Sequence, residues 1–229
     1  MGKRTLQLRS GKYVPGATTI VGQLDKPFLV TWANELGFAR IDYKEFVDKK
    51  AKLGSLIHDI IQSHLLHTEI EIPPTITDDE LALAEAAFYR YLEWEKDHTI
   101  SDVEVEKGLV SETYQYGGYL DIYCKVDGVW TIIDIKTSSS INLEQQIQVS
   151  SYEQLVRENN LPVDCLLIIN TGKDPSSELE IMEIARDRAS KYFKLFKALV
   201  DVYYIKKEVE KKDDTTRVQK WIEGTKVCT

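Results

Sequence analysis

GGYLDIYCKVDGVWTIIDIKT, residues 117–137, decides how this chain folds. Two runs rich in β-branched and aromatic residues flank Asp127-Gly128. Asp-Gly between such runs reads as a two-residue type I′ hairpin, because both turn positions need positive φ. That turn pairs Val126 with Val129, and the ladder then places Ile122 opposite Ile133 and Asp121 opposite Asp134. Side chains alternate along a strand, so Lys136 shares a face with the two aspartates. The opposite face carries Leu120, Ile122, Cys124 and Val126 across from Thr131, Ile133 and Ile135, and is expected to face the core. Directly opposed carboxylates have Cβ atoms roughly 5 Å apart and destabilise a sheet. A divalent cation between them would reverse that penalty. A solvent-facing hairpin with scattered charges fits the same register, so register alone leaves both readings open.

Outward from the hairpin, residues 102–111 and 163–170 also read as strands, and 142–158 as a helix between the last two strands. Upstream, Phe28, Leu29, Trp32, Leu36 and Phe38 predict an amphipathic helix over about 26–40. Leu53, Leu56, Ile57, Ile60, Ile61 and Leu65 predict another over 51–66. Thr77 followed by Glu80 is a capping-box start for a helix running to about Trp94. Residues 13–24 read as a loop leading into a short β-rich stretch, and a long helix, heavily charged after Lys206, begins near 186. Helices first, then a small sheet with an intervening helix, imply an α/β or α+β core. No repeat or linker divides the 229 residues, so we expect a single domain. Its parts are a helical portion (about 25–100), a sheet core (about 102–185) and a C-terminal helix (about 186–212).

Composition sets limits on function. Apolar residues make up 43% and charged residues 29%, as in a soluble globular protein. No apolar run approaches the roughly 18 residues of a membrane span, and the first residues carry no apolar core of a signal peptide. Cys124, Cys165 and Cys228 are far apart, which argues against a disulfide framework and against an iron–sulfur cluster. A reducing, cytoplasmic setting is expected. The net charge of −8 counts against nucleic acid as partner unless basic groups are placed locally or bound cations offset clustered carboxylates.

The ordered set Gly118-X-X-Asp121, Asp134-Ile135-Lys136 and Gln148-X-X-X-Tyr152, with Gly54-X-X-X-His58 upstream, resembles the PD-(D/E)XK nucleases of the RecB-like exonuclease branch. The opening PGATTIVGQLDKPFLVTWA is similar to phage-type members. The resemblance covers about residues 15–155. It departs in two places: Leu120 stands for the motif's proline, and the second acid is Asp134 rather than Glu. It implies a restriction-endonuclease-like core, with a small mixed central sheet flanked by helices. It also implies metal-dependent cleavage of DNA phosphodiester bonds in phage or bacterial recombination or repair, with a recombination or single-strand-binding protein as candidate partner. An exonuclease is expected first. A structure-specific or single-strand endonuclease, and a DNA-binding protein with a decayed site, are the alternatives.

Residue by residue, the resemblance gives Asp121, Asp134 and the carbonyl of Ile135 as ligands of Mg²⁺ or Mn²⁺. His58 joins them as a nitrogen ligand that shifts the preference toward Mn²⁺. Lys136 orients the attacking water or stabilises the transition state. Gln148 and Tyr152 share a helix face and brace Lys136 or touch the DNA backbone, and Thr137 donates to a phosphate. Glu106 matches an acid that often precedes the aspartate strand, although Glu104 has the same parity. His64 and His67 read as surface residues, and Trp32, Tyr91 and Trp94 as core.

Overall fold

The computed structural model describes residues 5–225. Cys228, and the side chains of Phe28 and of the charged run beyond Lys211, lie outside what it describes. The chain runs through α1 (Ala17–Val21), α2 (Phe28–Phe38), α3 (Tyr43–Leu65), α4 (Asp78–Glu95), β1 (Ile100–Ser111), β2 (Tyr116–Val126) and β3 (Val129–Lys136). It continues through α5 (Leu143–Glu158), β4 (Cys165–Asn170), β5 (Glu180–Glu183) and α6 (Arg186–Thr225). The five strands form one sheet in sequential order, with β3 and β4 parallel and the other neighbours antiparallel. This is a mixed α/β fold: a five-stranded mixed sheet flanked by helices, with a long C-terminal helix. Among the described residues no helix is long and apolar enough to cross a membrane.

The turn chemistry holds. Asp127 and Gly128 have φ of 52° and 82°, and β2 pairs with β3 from Val126–Val129 up to Ile122–Ile133. Thr77 and Glu80 form their capping box at the start of α4, and Asn142 with Gln145 forms a second at the start of α5.

Both faces of the hairpin are buried, not one. Ile122, Cys124, Ile133 and Ile135 pack with Leu53, Ile57 and Ile61 of α3 and Ala84, Ala87 and Tyr91 of α4. On the other side Leu120, Tyr123 and Ile132 pack with α1, α5 and α6, through Ile20, Ile147, Leu155 and Phe196. A parallel pair with helices on both sides leaves no solvated face, and its strands read as near-continuous apolar runs.

Three expectations about elements need correcting, and one strand went unread. Residues 17–21 form a short helix, with Ala17, Ile20 and Val21 buried, although ATTIV favours strand; packing overrides propensity there. α3 starts at Tyr43, where Asp42 caps by accepting from Glu45 N; six charged residues over 43–52 obscure the short apolar stripe of Tyr43, Phe46, Val47 and Ala51. On α2 only Leu36 of Leu29, Trp32, Leu36 and Phe38 is buried, and Phe38 is 90% exposed, because α2 lies on the outside against α3. β5, four residues with a Glu at each end, is too short and charged to show as a strand. α6 begins where expected and continues to Thr225.

Candidate active site

The site forms where β1 and β2 exchange faces. On β2, Tyr116 and Leu120 belong to the α5/α6 side, whereas Ile122 and Cys124 belong to the α3/α4 side, so the alternation slips at Asp121. On β1, Leu109 packs on the first side and Val105 on the second. The slip there falls at Glu106, whose φ of 50° is uncommon for a residue with a Cβ. Pairing runs from Val105–Ile122 to Lys107–Leu120 with no Glu106–Asp121 pair between them. The β2–β3 ladder also ends one step short of Asp121 and Asp134. The expected direct opposition is therefore replaced by a side-chain bridge: Asp121 Oδ2 accepts from Ile135 N at 2.9 Å.

Asp134 lies on β3 beside Ile168 of β4, and its side chain is 1% exposed. Lys136 Nζ sits 2.7 Å from its Oδ2, an ion-pair distance. That ammonium compensates Oδ2, whereas Oδ1 has no hydrogen-bond partner among the described residues. Burial pushes the Asp134 carboxyl up to about 6; Lys136 pulls it down and Asp121 pushes it further up. Burial likewise raises Asp121 to about 6, against the opposing pull of Lys136 and the Ile135 N–H. Burial alone would lower Lys136, but the two aspartates outweigh it and hold the ammonium above its ordinary value. The three residues thus form one largely buried, net-negative cluster.

α3 approaches this cluster along one flank. His58 Nδ1 is 3.7 Å from Asp121 Oδ2. Burial, and then Lys136, keep the imidazole below its usual range, so it is neutral and has a lone pair to offer. One turn later Gln62, 8% exposed, donates to Glu106 Oε1 at 3.0 Å and to the Asp121 carbonyl at 3.4 Å. Gln62 was not foreseen; its signal was the four-residue spacing from His58 on a buried stripe. Between the two acids of β1, the turned backbone brings Glu106 to the site, while Glu104 pairs outside with Lys107. One turn before His58, Gly54 lets the helix close on β3: a Cβ there would lie 3.0 Å from Thr137 Oγ1.

α5 supplies the other wall. Lys136 Nζ donates to Gln148 Oε1 at 3.3 Å, and Gln148 Nε2 donates to Tyr152 Oη at 2.6 Å and to Thr18 Oγ1 at 3.3 Å. Tyr152 packs its ring on the bare backbone of Gly118, where a Cβ would come within 2.5 Å of Cε1. Gln148 and Tyr152 therefore brace Lys136. Thr18, from the short helix read as loop, is a second residue the sequence did not reveal. His64 is not a plain surface residue, since its Nε2 meets Glu95 Oε2 of α4 at 2.6 Å; His67 is exposed at the end of α3. Tyr91 and Trp94 are core as expected, but Trp32 is only half-buried.

Among the described residues no three His, Cys, Asp or Glu side chains converge into a cage for a cation by themselves. The donor set fits one nonetheless. Two buried carboxylates that share one ammonium are costly. Hard carboxylate oxygens from Asp134 and Asp121 suit Mg²⁺ or Mn²⁺, ions that keep waters and take substrate oxygens to complete their shells.

No family model matches the chain, and no curated protein sequence matches it. Among solved structures, it is similar to a candidate exonuclease from Eubacterium rectale (13% identity, TM-score 0.46) over 65% of this chain and 63% of that one. The chain thus spans less than two thirds of that protein's length. It is also similar to the alkaline exonuclease LHK-Exo from Laribacter hongkongensis (14% identity, TM-score 0.33), over 69% of this chain and 84% of that one. For LHK-Exo in complex with dAMP the identity is 14% and the TM-score 0.37, over 71% of this chain and 85% of that one.

Proposed function

We propose that this chain is a divalent-metal-dependent deoxyribonuclease of the PD-(D/E)XK kind, RecB-like and phage-type. On this reading it acts as an exonuclease in phage or bacterial recombination or repair, in the cytoplasm. The observation that carries the reading is a pair of carboxylates sharing one ammonium: Asp134, 1% exposed and with Oδ1 unpartnered among the described residues, lies beside Asp121 and Lys136. One ammonium for two buried carboxylates leaves a negative charge that neutral packing would have avoided and that a bound cation offsets.

Asp121, Asp134, the Ile135 carbonyl and the neutral imidazole of His58 would hold the ion. When bound, it supplies an acidified water and charge stabilisation on the phosphate. Lys136 adds an ammonium where negative charge develops in phosphodiester cleavage, and its position is fixed from both sides by Asp134 and Gln148. Gln148 and Tyr152 act through Lys136 as positioning residues. Glu106, held by Gln62, adds negative charge to the metal side and pushes the Asp121 carboxyl further up. Thr137 has a hydroxyl for a phosphate at the site's edge. With a net charge of −8, the protein approaches DNA best with the ion in place.

The test is degradation of end-labelled linear, circular and single-stranded DNA with Mn²⁺, Mg²⁺ or EDTA. Metal-dependent loss of linear DNA alone is the expected result, with cutting of circles assigning an endonuclease. Lys136→Ala abolishes cleavage and retains DNA binding; cleavage at the wild-type rate by that variant overturns the assignment.

A further inference from the structure

Beside the site lies a groove of about 950 Å³ between α2, the first turns of α3, and the segments after β3 and β4. Its volume is at the upper end of the roughly 300–1,000 Å³ of ligand clefts. Trp32 and Phe46 form its aromatic wall, their rings meeting edge to face at 5.9 Å. Lys50 and Lys173 supply ammonium groups, and Thr137 and Ser139 supply hydroxyls.

Two features tie the groove to the site. Thr137 lines it and directly follows Lys136. In addition, Phe46, Lys50, Gly54, His58 and Gln62 recur at every fourth residue of α3, so one winding flank of a single helix passes from the groove into the site. The charges are not equivalent. Lys50 is paired with Asp174, and Glu35 adds a second acid at the rim. Lys173 Nζ donates to the Lys50 carbonyl at 3.1 Å and forms no ion pair among the described residues, leaving its charge to meet an anion.

We propose that this groove binds an unpaired stretch of single-stranded DNA continuous with the strand at the site, one base lying on Trp32 and a phosphate meeting Lys173. The proposal rests on the nuclease reading and adds the substrate form that reading left open. Single strands alternate flat apolar bases with anionic phosphates, the pattern of this wall; in a duplex the base faces are already stacked and cannot reach Trp32. Half-burial of Trp32 fits this use, since a tryptophan serving the core would be covered.

The test measures binding of labelled oligo(dT) and of a blunt hairpin duplex in Mn²⁺, with every protein carrying Lys136→Ala so that strands stay intact. Trp32→Ala weakens oligo(dT) binding roughly five- to hundredfold, the usual range for losing one stacked base, and changes duplex binding by less than about twofold. Trp32→Tyr restores most of the affinity, which separates stacking from damage to α2. Lys173→Gln lowers the slope of log affinity against log salt by about 0.7 on single strands. Equal losses on both DNAs, or undiminished oligo(dT) binding by Trp32→Ala, overturn the proposal. If the wild type cuts DNA while Trp32→Ala binds oligo(dT) normally, the groove fails and the nuclease reading stands. If binding needs Trp32 but the wild type cuts nothing, the nuclease reading fails and the groove stands.

Discussion

Replacing Gly118 by Ala tests whether the Tyr152–Gln148–Lys136 chain is a built support. The added Cβ would sit 2.5 Å from Tyr152 Cε1, 3.1 Å from Cδ1 and 3.3 Å from Leu155 Cδ1. Carbon atoms attract best at about 3.5–4.0 Å, so the ring must retreat by about 1 Å. It has little room to do so: Tyr152 is 4% exposed and Leu155 fully buried. Overpacking of this kind costs about 1–3 kcal/mol. Removing a strand glycine returns about 0.5–1 kcal/mol of chain entropy. The net is a loss of about 1–2 kcal/mol, which for a chain of this size lowers Tm by about 2–8 °C. Urea unfolding should show a lower midpoint with unchanged slope. The displaced ring also carries the hydroxyl that fixes Gln148, so kcat for DNA cleavage should fall more than KM rises. Adding Tyr152→Ala removes the clash, and the double-mutant cycle should give a coupling of at least about 1 kcal/mol. A Gly118→Ala protein as stable as the wild type, or a cycle that is simply additive, refutes the reasoning.

Other expectations follow from single features. Mn²⁺ at about 100 times its Kd should stabilise the wild type by about 2.7 kcal/mol, and Asp134→Asn should lose that gain; an equal Tm rise in the variant would remove Asp134 from the ligand set. Thr77→Ala removes the acceptor for Glu80 N and half of a capping box, which should cost about 1 kcal/mol in urea unfolding; no change would mean that packing alone fixes the start of α4. For Glu158, partial burial raises the carboxyl, but hydrogen bonds from Ser111 Oγ and Thr113 N and Oγ1 outweigh it and leave the group below its ordinary 4.5. A depressed carboxyl stabilises above its unfolded value, and that contribution is lost as pH falls through the folded one. The Tm gap between wild type and Glu158→Gln should therefore be present near pH 7 and close as the solution is acidified below about 4.5. A gap that persists in acid would mean that the charge contributes nothing.

The sequence was most legible where a local rule acts alone. Asp127-Gly128 set the turn and with it the register as far as Ile122–Ile133, and Thr77 with Glu80 marked a helix start. The residues assembled at the candidate site were legible through their ordered spacing. Their exact placement was not, because it depends on a slip in alternation at Glu106 and Asp121. A hairpin extrapolated in regular steps puts two carboxylates face to face. The real strands break step there and fill the gap with the Ile135 N–H. Trp32 escaped for the opposite reason. Its helical spacing fits a buried stripe, but whether α2 sits within or upon the protein is set by tertiary contacts that periodicity does not encode. Thr18 and Gln62 reach the site from helices read as loop or as core.

The four-residue recurrence along α3 also restricts how this gene can drift. Each residue inserted into or deleted from a helix turns everything beyond it by about 100°. One such event between Phe46 and Gln62 would swing the groove and the site out of line with each other, however mild the residue added. Point changes between the stripe positions carry no such consequence. Distant relatives that keep this arrangement should therefore show a gap-free block of constant length here, with the stripe kept, Leu53, Leu56, Ile57 and Ile61 replaced only by apolar residues, and the outward positions free. Spacing would identify them where percentage identity does not.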